Sequence, residues 1–167
     1  MLDTCRSAAT VRLEDILVEM KGEYAICAEQ AAVWAALNDP ETLRACLPGC
    51  ESIEKVSDTQ FNAAMSARIG PVKARFVSEL TLNELNPPHG YVINGQGKGG
   101  AAGFANGSAR VSLSPADDGT TLVYEVDMQV GGKLAQIGSR LVAGAARKIA
   151  DQFFARLAAH FDPESTE

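Results

Sequence analysis

Apolar side chains return at every second position through much of the chain up to Met128, and at every third or fourth position beyond Lys133. The two periods predict two kinds of element. Ile16 to Cys27 reads as a strand with Ile16, Val18, Met20, Tyr24 and Ile26 on one face. Glu29 to Leu37 is alanine-rich and reads as a helix. Asp39-Pro40 breaks it, and Pro40 suits the first position of a second short helix, Glu41 to Leu47, which Pro48-Gly49 ends. Alternation resumes at Phe61, Ala63, Met65, Ala67 and Ile69. It turns at Gly70-Pro71 and continues through Val72, Ala74, Phe76, Ser78, Leu80 and Leu82. The turn Asn86-Pro87-Pro88-His89-Gly90 leads into Tyr91 to Ile93. Ala109, Val111 and Leu113 predict another strand. Beyond Asp117-Asp118-Gly119, Leu122, Tyr124, Val126 and Met128 predict the last. Short connections and one-sided alternation point to an antiparallel meander of about six or seven strands with one face buried.

The final stretch, Lys133 to about His160, has no proline and favours helix throughout. Leu134, Ile137, Leu141, Ala145, Ile149, Phe153, Leu157 and Phe161 fall on one face of it. About 28 residues make a rod roughly 40 Å long. The apolar face of the meander is the surface it must cover. The expected fold class is α+β: a curved antiparallel sheet, two short helices, and one long C-terminal helix laid over the sheet. Residues 20–161 form the expected domain, followed by a polar tail at 162–167. Residues 1–19 read as an extension, because Met20-Lys21-Gly22 resembles a second start.

Composition narrows the use of such a domain. The chain has 167 residues, 46% of them hydrophobic, and a net charge of −6, with a mean hydropathy of −0.03. The length suits one core of ordinary size. The negative charge argues against nucleic acid, which needs a basic footprint. Cys5, Cys27, Cys46 and Cys50 are too few for a disulfide scaffold. Arg12, Glu14 and Asp15 interrupt the one stretch that could serve as a signal peptide, and no apolar run is long enough to span a bilayer. The cytoplasm is the expected compartment.

Few residues gather into recognisable chemistry. Gly95-Gln96-Gly97-Lys98-Gly99-Gly100 has the G-x-G-x-x-G spacing, with Asp117 about 20 residues on, but a strand pattern follows where a dinucleotide site needs a helix. A structural bend is the plainer use of these glycines. Cys46-Leu47-Pro48-Gly49-Cys50 admits structural thiols at a helix-to-strand corner, a reversible bridge, or metal ligands. The scatter of Cys27, His89 and His160 weakens the last, and no metal site is assigned. No Ser/His/Asp or Cys/His set stands out, so no catalytic residues are assigned. Lys133, Arg140 and Arg147 recur every seven residues, joined by Lys148 and Arg156. They make either a solvated face or one that docks on an acidic partner or anionic lipid. Ala143-Gly144-Ala145-Ala146 brings little volume to the middle of the helix, and Met65 and Met128 are adaptable apolar residues facing it. These features point to a cavity; close packing of helix on sheet is the alternative.

Several motifs, in order, resemble the family of the carbon monoxide dehydrogenase G protein, an accessory component of that enzyme. They are Asp39-Pro40-Glu41-Thr42-Leu43, the proline–glycine–cysteine run Cys46 to Cys50, Gly97 to Gly107, Gly131 to Arg140 (GGKLAQIGSR), and Asp151-Gln152-Phe153-Phe154. The resemblance spans about residues 20–161. It implies the helix-grip fold of the START-like (SRPBCC) superfamily. It also implies an accessory protein of a molybdenum-containing carbon monoxide dehydrogenase or related molybdenum hydroxylase, linked to membrane recruitment and to quinone as electron acceptor. Many members carry a membrane-seeking C-terminal segment; here the basic helix face is the candidate for peripheral contact with the inner face of the membrane. On this reading a prenylated quinone or similar lipid lies among Leu43, Leu47, Met65, Phe76, Ile93, Phe104, Tyr124, Met128, Leu134, Ile137 and Leu141, with Tyr124 offering a hydrogen bond to a quinone carbonyl. A cavity enzyme of cyclase or hydrolase type, and a ligand-free assembly factor, are the rival expectations.

Overall fold

The computed structural model describes residues 15–161. Its elements are β1 (Ile16–Ile26), α1 (Gln30–Leu37), α2 (Pro40–Cys46), β2 (Cys50–Ser57), β3 (Gln60–Ile69), β4 (Val72–Asn86), β5 (Gly90–Lys98), a 3-10 turn (Gly100–Ala102), β6 (Phe104–Ala116), β7 (Gly119–Gly131), α3 (Lys133–Gln136) and α4 (Ser139–Phe161). The seven strands form one antiparallel sheet in the order β1-β7-β6-β5-β4-β3-β2. Every connection except that from β1 to β2 joins neighbours. That one carries the helical pair α1–α2 and takes the chain from one sheet edge to the other. Inside the pair, Pro40 opens α2 and the Thr42 hydroxyl donates to Asp39 at 2.7 Å.

Two boundaries differ from the sequence-based expectation. Ile16–Glu19, assigned there to a leader, are the start of β1 and pair with β7 from Ile16↔Val130 onward. The rest of that extension and the tail 162–167 lie outside the described residues, save Asp15, which precedes β1. The long terminal helix is also not one rod. Gly138 has φ +103°, a conformation that L side chains rarely adopt, and it separates α3 from α4.

This break rotates the apolar stripe. On α4 the buried residues are Val142, Phe154 and Leu157, whereas Leu141, expected to face the sheet, is 50% exposed. Gly144 also turns outward, and a Cβ there would meet nothing within 4 Å. It therefore does not thin the crossing point over the sheet. The helix bears mainly on β1, on α2 and on β3.

The buried core consists of two clusters. The larger gathers Val33, Leu37, Phe61, Tyr91, Leu113, Leu122, Tyr124, Phe154 and Leu157 with their neighbours at the α1–α2 end. The smaller gathers Val18, Ile69, Ala74, Ala102, Val130, Leu134 and Val142 at the α3 end.

Candidate functional site

Between the clusters, the inner face of the sheet is built from small residues. One cross-strand row reads Val18, Met128, Gly107, Gly95, Leu80. A Cβ at Gly95 would stand 2.8 Å from Leu80 Cδ2, and one at Gly107 would stand 3.0 Å from Met128 Cγ. The two flanking side chains thus lean inward over the glycines. The adjacent rows place Ala109 beside Gly107 on β6 and Gly97 beside Gly95 on β5. A Cβ at Gly97 would meet Phe76 Cδ1 at 3.7 Å, and one at Gly99 would meet Phe76 Cε1 at 2.8 Å. The alternating glycines of β5 therefore lower the floor of the sheet as well as letting it bend. β5 runs into a 3-10 turn and then β6, so the G-x-G-x-x-G spacing opens no α-helix and has no dinucleotide context.

Above this floor lie apolar side chains that are only half-buried: Met20, Met65, Phe76, Leu80, Ile93, Val126 and Met128. The structure thus gathers four of the expected lining residues, Met65, Phe76, Ile93 and Met128, on one surface, with Met65 and Phe76 direct cross-strand partners. Leu43 joins from α2 against the larger cluster, and Leu47, just after α2, is half-buried. Leu134 is fully buried in the smaller cluster. Ile137 and Leu141 sit at the rim, where their Cδ1 atoms face Gly70 in the β3–β4 turn.

Phe104 is the clear exception. Its register with Gly131 puts it on the outer face, where its ring lies over that glycine. The residues that sequence reasoning missed are Met20, Leu80, Val126 and the glycine–alanine floor. The signal for the floor was present, since Gly95, Gly97, Ala105, Gly107 and Ala109 alternate on two paired strands.

Tyr124 has a different surrounding from the one expected. It lies opposite Gly22, leans across it and is 2% exposed. Its ring stacks with Tyr24 and Phe154 at centroid distances of 6.1 and 5.0 Å. Its hydroxyl accepts from Arg147 Nη1 at 3.4 Å, and the same nitrogen donates to the Lys21 carbonyl at 3.2 Å. Tyr24 donates to Asp151; its burial, together with that bond, holds its phenol well above the ordinary tyrosine range. Tyr124's hydroxyl therefore belongs to a polar latch between β1 and α4 rather than standing free for a quinone carbonyl.

The latch also revises the basic face. Arg147 is turned onto β1, Lys133 is on α3 across the Gly138 break, and Arg140, Lys148 and Arg156 are exposed on α4. Burial raises the thiols of Cys46 and Cys50 above the ordinary range, which suits structural thiols better than a reactive pair. Cys5 lies outside the described residues. Among the described residues no three His, Cys, Asp or Glu side chains come together as metal donors, and no helix is long and apolar enough to cross a membrane.

A second concavity, of about 530 Å³, opens on the opposite side of the sheet and is lined mostly by polar residues. It shares only backbone with the inner hollow.

A curved antiparallel sheet gripping a C-terminal helix over an apolar floor defines the START-like, helix-grip class. The solved structures agree. A conserved protein from Geobacillus kaustophilus is 28% identical with a TM-score of 0.77, over 89% of this chain and 96% of that one. A START superfamily protein from Mycobacterium smegmatis is 15% identical with a TM-score of 0.61, over 88% and 97%. An aromatase/cyclase from Streptomyces is 13% identical with a TM-score of 0.64, over 89% and 94%. No curated protein matches the chain. The family model of CoxG, the G component of carbon monoxide dehydrogenase, matches residues 22–161, and the chain belongs to that family.

Proposed function

We propose that this protein is an accessory component of a molybdenum-containing carbon monoxide dehydrogenase or a related molybdenum hydroxylase, and that it carries a prenylated quinone or similar lipid in the hollow beneath α4. One observation carries the reading. The inner-face residues Met20, Met65, Phe76, Leu80, Ile93, Val126 and Met128 are apolar and lie under a helix, yet none is fully buried. A solid core would enclose such residues. Burying some 300 Å² of apolar ligand there contributes about 7 kcal/mol gross at ~25 cal/mol/Å², which ordering and association costs then reduce. Binding and presentation, not turnover, is the task that fits: both tyrosine hydroxyls of the latch are already engaged by Arg147 and Asp151. The protein works as a peripheral component at the inner face of the membrane, with Arg140, Lys148 and Arg156 available to the dehydrogenase or to anionic lipid.

The test uses Trp34, the single tryptophan, whose ring lies 5.3 Å from that of Tyr91 in the larger cluster. Titration with a short-chain menaquinone should quench Trp34 saturably and give a one-to-one adduct in native mass spectrometry. Ala109→Phe should remove the quenching with little change in Tm. Absence of both quenching and adduct in the unaltered protein would sink the carrier reading.

A further inference from the structure

The outer concavity is built from two neighbouring cross-strand rows of side chains that point away from the helix. One row reads Leu17, Gln129, Asn106, Gln96, Glu79; the other reads Glu19, Asp127, Ser108, Asn94, Thr81. Together these residues, over the backbone of Val18, Gly95, Gly107 and Met128, line the 530 Å³ space.

Two observations set this face apart from an ordinary solvated sheet surface. Asn, Asp, Gln and Ser are poor choices for the middle of strands, where β-branched and aromatic residues fit better. Here the amide and short polar groups run unbroken across β5, β6 and β7. Conflict between local propensity and the observed structure is the mark of a position kept for a use. Second, Glu19 and Asp127 are direct cross-strand partners, a like-charge pairing that weakens a sheet. No lysine or arginine belongs to the lining, and neither carboxylate has an ion-pair partner among the described residues.

We propose that this groove binds an extended, basic polypeptide segment of a partner protein. Five strands at about 4.8 Å spacing give a slot roughly 19 Å long, the span of about six extended residues. Asn94, Gln96 and Asn106 each offer a donor and an acceptor, as a peptide backbone does. The Glu19–Asp127 pair at one end and Glu79 at the other receive lysine or arginine side chains. The lining has no aromatic platform, which a sugar ring or nucleobase would use for stacking. The site is separate from the inner hollow, so it stands whether or not the hollow holds a quinone.

The test pans a random heptapeptide phage library against the full chain and measures the selected peptides by fluorescence anisotropy. Selected sequences should be rich in lysine and arginine. Their affinity should fall about tenfold or more in Glu19→Gln/Asp127→Asn, and again in Asn94→Ala/Asn106→Ala. It should be unchanged in Asp117→Asn/Asp118→Asn, which removes equal charge from the β6–β7 turn. Circular dichroism and Tm confirm that each variant is folded. The proposal is overturned if no sequences are enriched, if binding survives both groove variants, if the turn variant loses as much, or if spermidine competes as strongly as the peptide.

Discussion

A Cβ at Gly22 would stand 2.7 Å from Tyr124 Cε2, in the middle of a three-ring stack with Tyr24 and Phe154. Gly22→Val therefore forces a buried ring to move, and should destabilise the protein by about 1–3 kcal/mol in urea unfolding. Tyr24 gives a pH signature of the same cluster. Its folded pKa lies above the ordinary value of 10.0, so the unfolded chain loses this proton first. The contribution is fully present below pH 10 and drains away as pH rises toward the folded value. The urea midpoint should fall above pH 10, and fall less steeply in Tyr24→Phe. The size of the effect is modest, because Tyr24 is only partly buried.

The elements around Gly138 and Gly144 give opposite expectations for the same substitution. Gly144 is exposed in the interior of α4, with open space where a Cβ would sit, so Gly144→Ala should stabilise by about 0.5–1 kcal/mol. Gly138 also has open space, but its φ is +103°. Gly138→Ala should therefore destabilise by about 1 kcal/mol or more, through backbone strain alone. Equal shifts for the two would mean that the helix runs unbroken. Reversing charge at Arg140 and Lys148 should weaken association with a molybdenum hydroxylase in a pull-down while leaving Trp34 quenching intact. Arg147→Glu should instead lower stability, since Arg147 ties α4 to β1.

At the scale of the whole molecule, alternation in β3, β4 and β7 made the meander legible, because each strand has one wet face and a single period. The long helix was legible in extent but not in phase. Leu134, Ile137 and Leu141 fit one stripe only if the chain passes Gly138 without turning, and a glycine in a helical pattern does not reveal its φ. Phe104 was misplaced for a related reason: the strand pairing that fixes its side is set by Gly97–Gly99 and Gly131, where no apolar alternation marks the register. Tyr124 was correctly placed on the inner face, yet its hydroxyl partners come from β1 and α4, far apart in sequence. The glycine floor was visible as residues, but its meaning needed the pairing of β5 with β6. The outer rows are a case of the same kind, since each strand contributes only two residues and the groove exists only once five strands are side by side.

At Gly95 and Gly107 a single layer of peptide separates the two surfaces of this molecule. Leu80 and Met128 press on it from within, while Asn94, Gln96, Asn106 and Ser108 stand on it from without. A lipid tail that lifts those two inner side chains shifts the very backbone that spaces the outer amides. Linkage then works in both directions with equal strength: loading the protein with cargo changes its grip on a docked partner by the same factor as docking changes its hold on cargo.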